Sequence, residues 1–155
     1  LRQGEKFYMK VAIVYTSIPN DDTYTLLEKL SNSNDVDLID GQLSMKIDLT
    51  EYDMIGVVVG DCPGKFFKAF LNYISKYFPE GRETFLISTY EGNSSFKAVE
   101  KILNKKNYTI KGRYYCKTQE VATTGFSGLF RRRGKKLPSD EGLAGAVEFY
   151  QQMVK

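Results

Sequence analysis

"KVAIVYTSIPNDDTYTLLEKL" (Lys10–Leu30) decides how this chain folds. Lys10–Thr16 is a short apolar run rich in β-branched residues and bounded by turn residues, the pattern of a strand buried on both faces of a parallel sheet. Leu26, Leu27 and Leu30 follow at helical spacing, so a helix starts within a few residues of the strand's end. Asp22 is one N-cap for that helix, and Thr25 with Glu28, as a capping box, is the alternative. Strand, short polar loop and amphipathic helix form the first part of a β-α-β unit.

The same order repeats downstream. "VDLID" (Val36–Asp40) reads as a short strand and "YDMIGVVVG" (Tyr52–Gly60) as a longer apolar one ending at a glycine. After "DCPGK" (Asp61–Lys65), Phe66, Phe67, Phe70, Leu71 and Ile74 recur at helical spacing until Pro79 and Gly81 stop the helix. "ETFLIST" (Glu83–Thr89) is the next strand, and "YEGNSS" opens a helix whose apolar stripe is Phe96, Val99, Ile102 and Leu103. "YTIKGRYYC" (Tyr108–Cys116) alternates as a less buried edge strand does. "FRRRGKK" (Phe130–Lys136) reads as a basic loop. "SDEGLAGAVEFYQQMV" (Ser139–Val154) closes the chain as a helix with Ser139 as N-cap and two acids facing its positive end. Five strands alternating with helices predict a doubly wound α/β domain with right-handed crossovers rather than a barrel.

Composition narrows the chemistry. The 155 residues suffice for one domain with a continuous core, and no apolar run approaches the roughly 20 residues of a membrane span. The sequence has no histidine, so zinc centres built on imidazole and histidine-dependent triads are disfavoured. Cys62 and Cys116 are too few for a disulfide framework, and no signal-peptide pattern is evident, so a reducing cytoplasm is expected. A net charge of +3 permits an acidic partner without implying nucleic acid. Residues 1–8, "LRQGEKFY", are read as an N-terminal extension and residues 9–155 as the domain.

Taken together, "KVAIVYTS" with its loop and "TLLEKL", "YDMIGVVVG" running into "GKFFKAFLNYI", "TFLIST" with "YEGNSSFKAVEKIL", and the tail "GKKLPSDEGLAGAVEFYQQM" resemble the flavodoxin family from Met9 onward. The resemblance implies a three-layer sandwich around a five-stranded parallel sheet of order 2-1-3-4-5, FMN as cofactor, and electron transfer as the activity. Ligands of such open sheets settle outside the carboxyl ends of the strands where strand order reverses, a rule for which flavodoxin is itself a standard example.

Carried onto this sequence, the resemblance places Thr16, Ser17, Asn20 and Thr23 at the FMN phosphate. Gly60, Asp61, Cys62, Pro63 and Gly64 would lie along the edge of the flavin ring, while Thr89, Tyr90, Glu91 and Gly92 would supply a stacking tyrosine and polar contacts. Cys62 either touches the ring or is a small residue tolerated at a turn, and Cys116 reads as core filler. Glu91 to Ser94 serve equally well as the start of the next helix.

The phosphate loop departs from the family pattern. Ser/Thr, two residues, glycine, any residue and threonine is the usual run. Here the middle is Ile18, Pro19, Asn20, Asp21 and Asp22, one residue longer, without the glycine and with a proline that lacks an N–H. A carboxylate about 6 Å from a phosphate charge costs roughly 0.7 kcal/mol in bulk water and about 3 kcal/mol at an effective dielectric near 20. Either Asp22 caps the helix and Asp21 points to water, or the pair marks a lost anion site.

Three readings follow. The leading one is an FMN-binding electron carrier. Its alternatives are a flavodoxin-fold binding or regulatory module that has lost FMN, and an NAD(P)H-dependent flavin or quinone reductase. Arg131, Arg132, Arg133, Lys135 and Lys136 are either a solvated loop or the contact for an acidic redox partner or a nucleotide phosphate. Neither nucleic acid nor membrane is expected as a partner.

Overall fold

Alternation along the central strands sorts their apolar residues onto two faces, and each face receives two helices. The computed structural model describes residues 9–16, 23–41, 47–60, 64–89, 94–121 and 135–155. Its main sheet contains β1 (Val11–Tyr15), β2 (Asp37–Asp40), β3 (Met54–Val59), β4 (Glu83–Ser88) and β5 (Thr109–Tyr115), all parallel in the order β2-β1-β3-β4-β5. Helices α1 (Thr23–Ser33), α2 (Gly64–Tyr77), α3 (Ser94–Lys105) and α4 (Asp140–Met153) complete a three-layer α/β sandwich of flavodoxin-like order. The expected fold class, sheet order and edge position of β5 therefore hold.

On one face, Ala12, Val14, Ile55, Val57, Val59 and Leu86 meet Phe70 and Ile74 of α2 and Phe96, Val99 and Leu103 of α3. On the other, Val11, Ile13, Met54, Val58, Phe85 and Ile87 meet Leu26, Leu27 and Leu30 of α1 and Ala146 and Tyr150 of α4. A fully buried side chain of this size stabilises the fold by about 1.5–3 kcal/mol, so both sandwich layers depend on the period-2 pattern of β1, β3 and β4. β2 is short and begins and ends with aspartate, which discourages further pairing at its open edge.

Phe85 fills the most demanding position. Its ring reaches across β3 at Gly56, where an added Cβ would lie 2.2 Å from Cζ. The same ring meets Phe149 and Tyr150 of α4 edge-on, with centroids 6.2 and 5.7 Å apart. Gly56 is therefore the recess that lets an aromatic on β4 link the sheet to α4.

Four sequence expectations change. Thr25 is already the third residue of α1, so the Thr25–Glu28 capping box does not form the helix start; Asp22, which precedes the helix, lies outside the described residues. Phe66, expected in the apolar stripe, is 40% exposed in the first turn of α2, and Tyr73 is buried further along the helix. The chain does not pass from β5 to α4 through a loop alone: β6 (Thr118–Val121) and β7 (Lys135–Pro138) pair as an antiparallel hairpin. Lys135 and Lys136 thus belong to a strand, whereas Arg131 to Arg133 lie outside the described residues. "TQEV" and "KKLP" lack the apolar alternation by which strands are read, since this ribbon stands apart from the core sheet.

The final helix starts as expected. Ser139 Oγ accepts the N–H of Gly142 at 2.9 Å, and Asp140 and Glu141 occupy the first turn. Gly142 is required by close approach: a Cβ there would meet the Lys117 carbonyl oxygen at 2.4 Å. Tyr114 then donates its hydroxyl to the Gly142 carbonyl at 2.9 Å, seating α4 against β5.

Candidate functional site

Parallel strands deliver all their carboxyl ends, and the N-termini of the helices that follow, to one edge of the sheet. At that edge the sandwich is laced together by residues at the roots of its loops. Thr16, just past β1, is fully buried; its N–H donates to Val58 O at 3.0 Å, and its Oγ1 accepts the N–H of Gly60 at 2.9 Å. Thr89, just past β4, donates its N–H to Val59 O at 3.1 Å. Thr23, the first residue of α1, is also fully buried, and its Oγ1 lies 3.4 Å from Thr89 Oγ1 across 66 residues of chain. Cys116 N–H donates to Ser88 O at 2.7 Å, extending the lacing to β5.

The structure thus brings together Thr16, Gly60, Thr23 and Thr89 from three different loops. Gly64 opens α2 and has open space where a Cβ would stand. The remaining sequence candidates, Ser17, Asn20, Asp61, Cys62, Pro63, Tyr90, Glu91 and Gly92, lie outside the described residues, as do Asp21 and Asp22. Gly60, expected to offer its backbone to a flavin edge, already spends its N–H on Thr16. That bond was not legible from spacing, because it depends on the register of β1 against β3.

Electrostatics distinguish the helix ends. The first turns of α1, α2 and α3 contain no acidic residue. By contrast α4 carries Asp140, Glu141 and the Ser139 cap, so its positive end is compensated within the chain. A helix N-terminus favours an anion by about 0.3–1 kcal/mol at an exposed site. The N–H donors of α1, α2 and α3 are of the kind that suits a phosphate-bearing ligand, and their described first turns carry no acid of their own to oppose one. Burial pushes the Cys116 thiol up to about 11, so it is protonated at neutral pH and serves as core, as its sequence position implied.

A separate cavity of about 300 Å³ is lined by Met9, Lys10, Val11, Asp35, Val36 and Asp37. It opens at the amino ends of β1 and β2, the opposite edge from the threonine lacing, so it is not the site expected from the fold. Among the described residues no cluster of histidine, cysteine or carboxylate suits a metal ion, and no helix is long and apolar enough to cross a membrane.

Comparison with known proteins places this geometry. No family model matches the sequence. An uncharacterized protein of Methanocaldococcus jannaschii is 24% identical over 151 residues, spanning 95% of this chain and 99% of that one. A short-chain flavodoxin associated with a PDU bacterial microcompartment superposes with a TM-score of 0.63 at 12% identity, covering 95% of this chain and 97% of its own. Flavodoxin 2 from Bacillus cereus gives 0.60 at 14% identity, with 93% and 97% covered, and a flavodoxin from the domain Archaea gives 0.58 at 15%, with 94% and 99% covered. With near-complete coverage in both directions and the same sheet order, this chain has the flavodoxin fold.

Proposed function

We propose that this chain binds FMN at the carboxyl edge of its sheet and carries electrons between protein partners. The observation that carries the reading is the contrast among helix ends: three N-termini at that edge are left without acids in their first turns, and the fourth is compensated by its own residues. FMN, when bound, supplies the redox chemistry through its flavin ring. The chain supplies orientation: α1 and its loop hold the phosphate, while the loops beginning at Gly60 and Thr89 hold the ring. The stretch from Arg131 to Lys136 carries five positive charges in the sequence and favours an acidic redox partner, with association weakened by salt. A cytoplasmic setting accords with this role.

A second reading, a flavodoxin-fold module without cofactor, draws on Asp21 and Asp22 in the sequence and on the bonds that already engage Thr16 and Thr23. Flavin-free protein is expected to take up one FMN, to pass electrons to ferricyanide after photoreduction, and to stay oxidised when NADPH alone is added. Failure to take up FMN would favour the module, and direct bleaching by NADPH would favour a reductase.

A further inference from the structure

The bond between Thr16 and Gly60 replaces one that the sheet would otherwise make. Tyr15 is in register with Val58, and Thr16 N–H continues the series to Val58 O. In a regular parallel ladder the next bond runs from the N–H of Gly60 to the backbone carbonyl of Thr16. Here the Thr16 side chain accepts it instead, at 2.9 Å and out of contact with water. The hydroxyl thus substitutes for the main chain at the point where the chain after β1 leaves the sheet. It fixes the first residue of the loop after β3 while leaving the Thr16 carbonyl out of that bond.

We propose that Thr16 is a positioning residue for the second loop, and not a ligand of the phosphate. This inference rests on the FMN reading, with one part independent of it. Because Thr16 holds the root of the loop expected along the flavin ring, its loss acts on ring and phosphate forms alike. A direct phosphate ligand acts only on the phosphorylated form.

Thr16→Val keeps the branched shape and removes the acceptor, leaving a buried N–H without its partner. Thr16→Ser keeps the acceptor. Three observables separate the roles: hydrogen exchange of the Gly60 amide, and the affinities for FMN and for riboflavin. In Thr16→Val the Gly60 amide is expected to exchange on the order of tenfold faster, and FMN and riboflavin to weaken by a common factor on the order of tenfold. Thr16→Ser is expected to restore all three to within about threefold of wild type. A general loss of stability without a positioning role would lower the melting temperature of both variants without this rescue pattern.

Loss confined to FMN would assign Thr16 to the phosphate and overturn the proposal. Unchanged Gly60 exchange in Thr16→Val would overturn it as well, whatever the flavins do. If wild-type protein takes up neither flavin, the FMN reading fails by itself, and Gly60 exchange still decides whether Thr16 holds the second loop.

Discussion

Phe85→Ala is expected to lower stability by about 3–5 kcal/mol, the range for removing a fully buried aromatic side chain. Phe85 has no solvent exposure and sits at the meeting point of three elements: its own strand β4, Gly56 on β3, and Phe149 and Tyr150 on α4. Truncation removes both the buried area and two edge-to-face ring contacts, which add about 0.5–1.5 kcal/mol each beyond area. The surroundings cannot collapse easily, since Gly56 offers no side chain to fill the space. For a domain of this size the loss corresponds to a fall in melting temperature of roughly 10–15 °C. Urea unfolding measures the cost directly, with Phe85→Leu as a milder companion. A loss below about 1.5 kcal/mol would mean that α4 is held by other contacts.

Gly56→Ala is expected to destabilise by about 1–3 kcal/mol, although glycine to alanine within a strand ordinarily helps by up to about 1 kcal/mol. The sign reverses because the new methyl would stand 2.2 Å from Cζ and 2.4 Å from Cε2 of Phe85, inside a ring already held by α4. The two positions should therefore be coupled. In a Phe85→Leu background, where the outer ring atoms are gone, Gly56→Ala is expected to become neutral or stabilising, with a coupling of about 1–3 kcal/mol in the double-mutant cycle. Additive costs would show that the clash is relieved by backbone movement instead.

Much of the fold is readable because its decisive signals are local. Val11 to Tyr15 form an apolar strand, Leu26, Leu27 and Leu30 lie on one helical face, and Ser139 precedes two acids. Each of these obeys a period or a cap that a short window contains. Phe66 misleads because its spacing fits the stripe while its place in the first turn of α2 leaves it at the rim. The β6–β7 ribbon is missed because strands outside the core carry no apolar alternation. The partnership of Gly56 with Phe85 and that of Thr16 with Gly60 depend on which strands become neighbours, so no local window holds both members. The candidate site is legible as a place, the carboxyl edge at the reversal of strand order, because topology dictates it. Its threonine lacing is not, since hydroxyls at loop roots have the same local signature whether they face a ligand or a neighbouring strand.

In the proposed site the carboxyl edge of the sheet holds the FMN phosphate at the N-terminus of α1, whose first turn carries no acid. The most direct measurement is a paired titration of the flavin-free protein with FMN and with riboflavin, followed by quenching of flavin fluorescence. The α1 N-terminus, at about 0.3–1 kcal/mol for the phosphate charge that riboflavin lacks, predicts that FMN binds roughly 2- to 5-fold more tightly than riboflavin, with the ratio shrinking as salt is raised. Equal affinities, or tighter riboflavin, would contradict the account and would mean that Asp21 and Asp22 outweigh the helix ends.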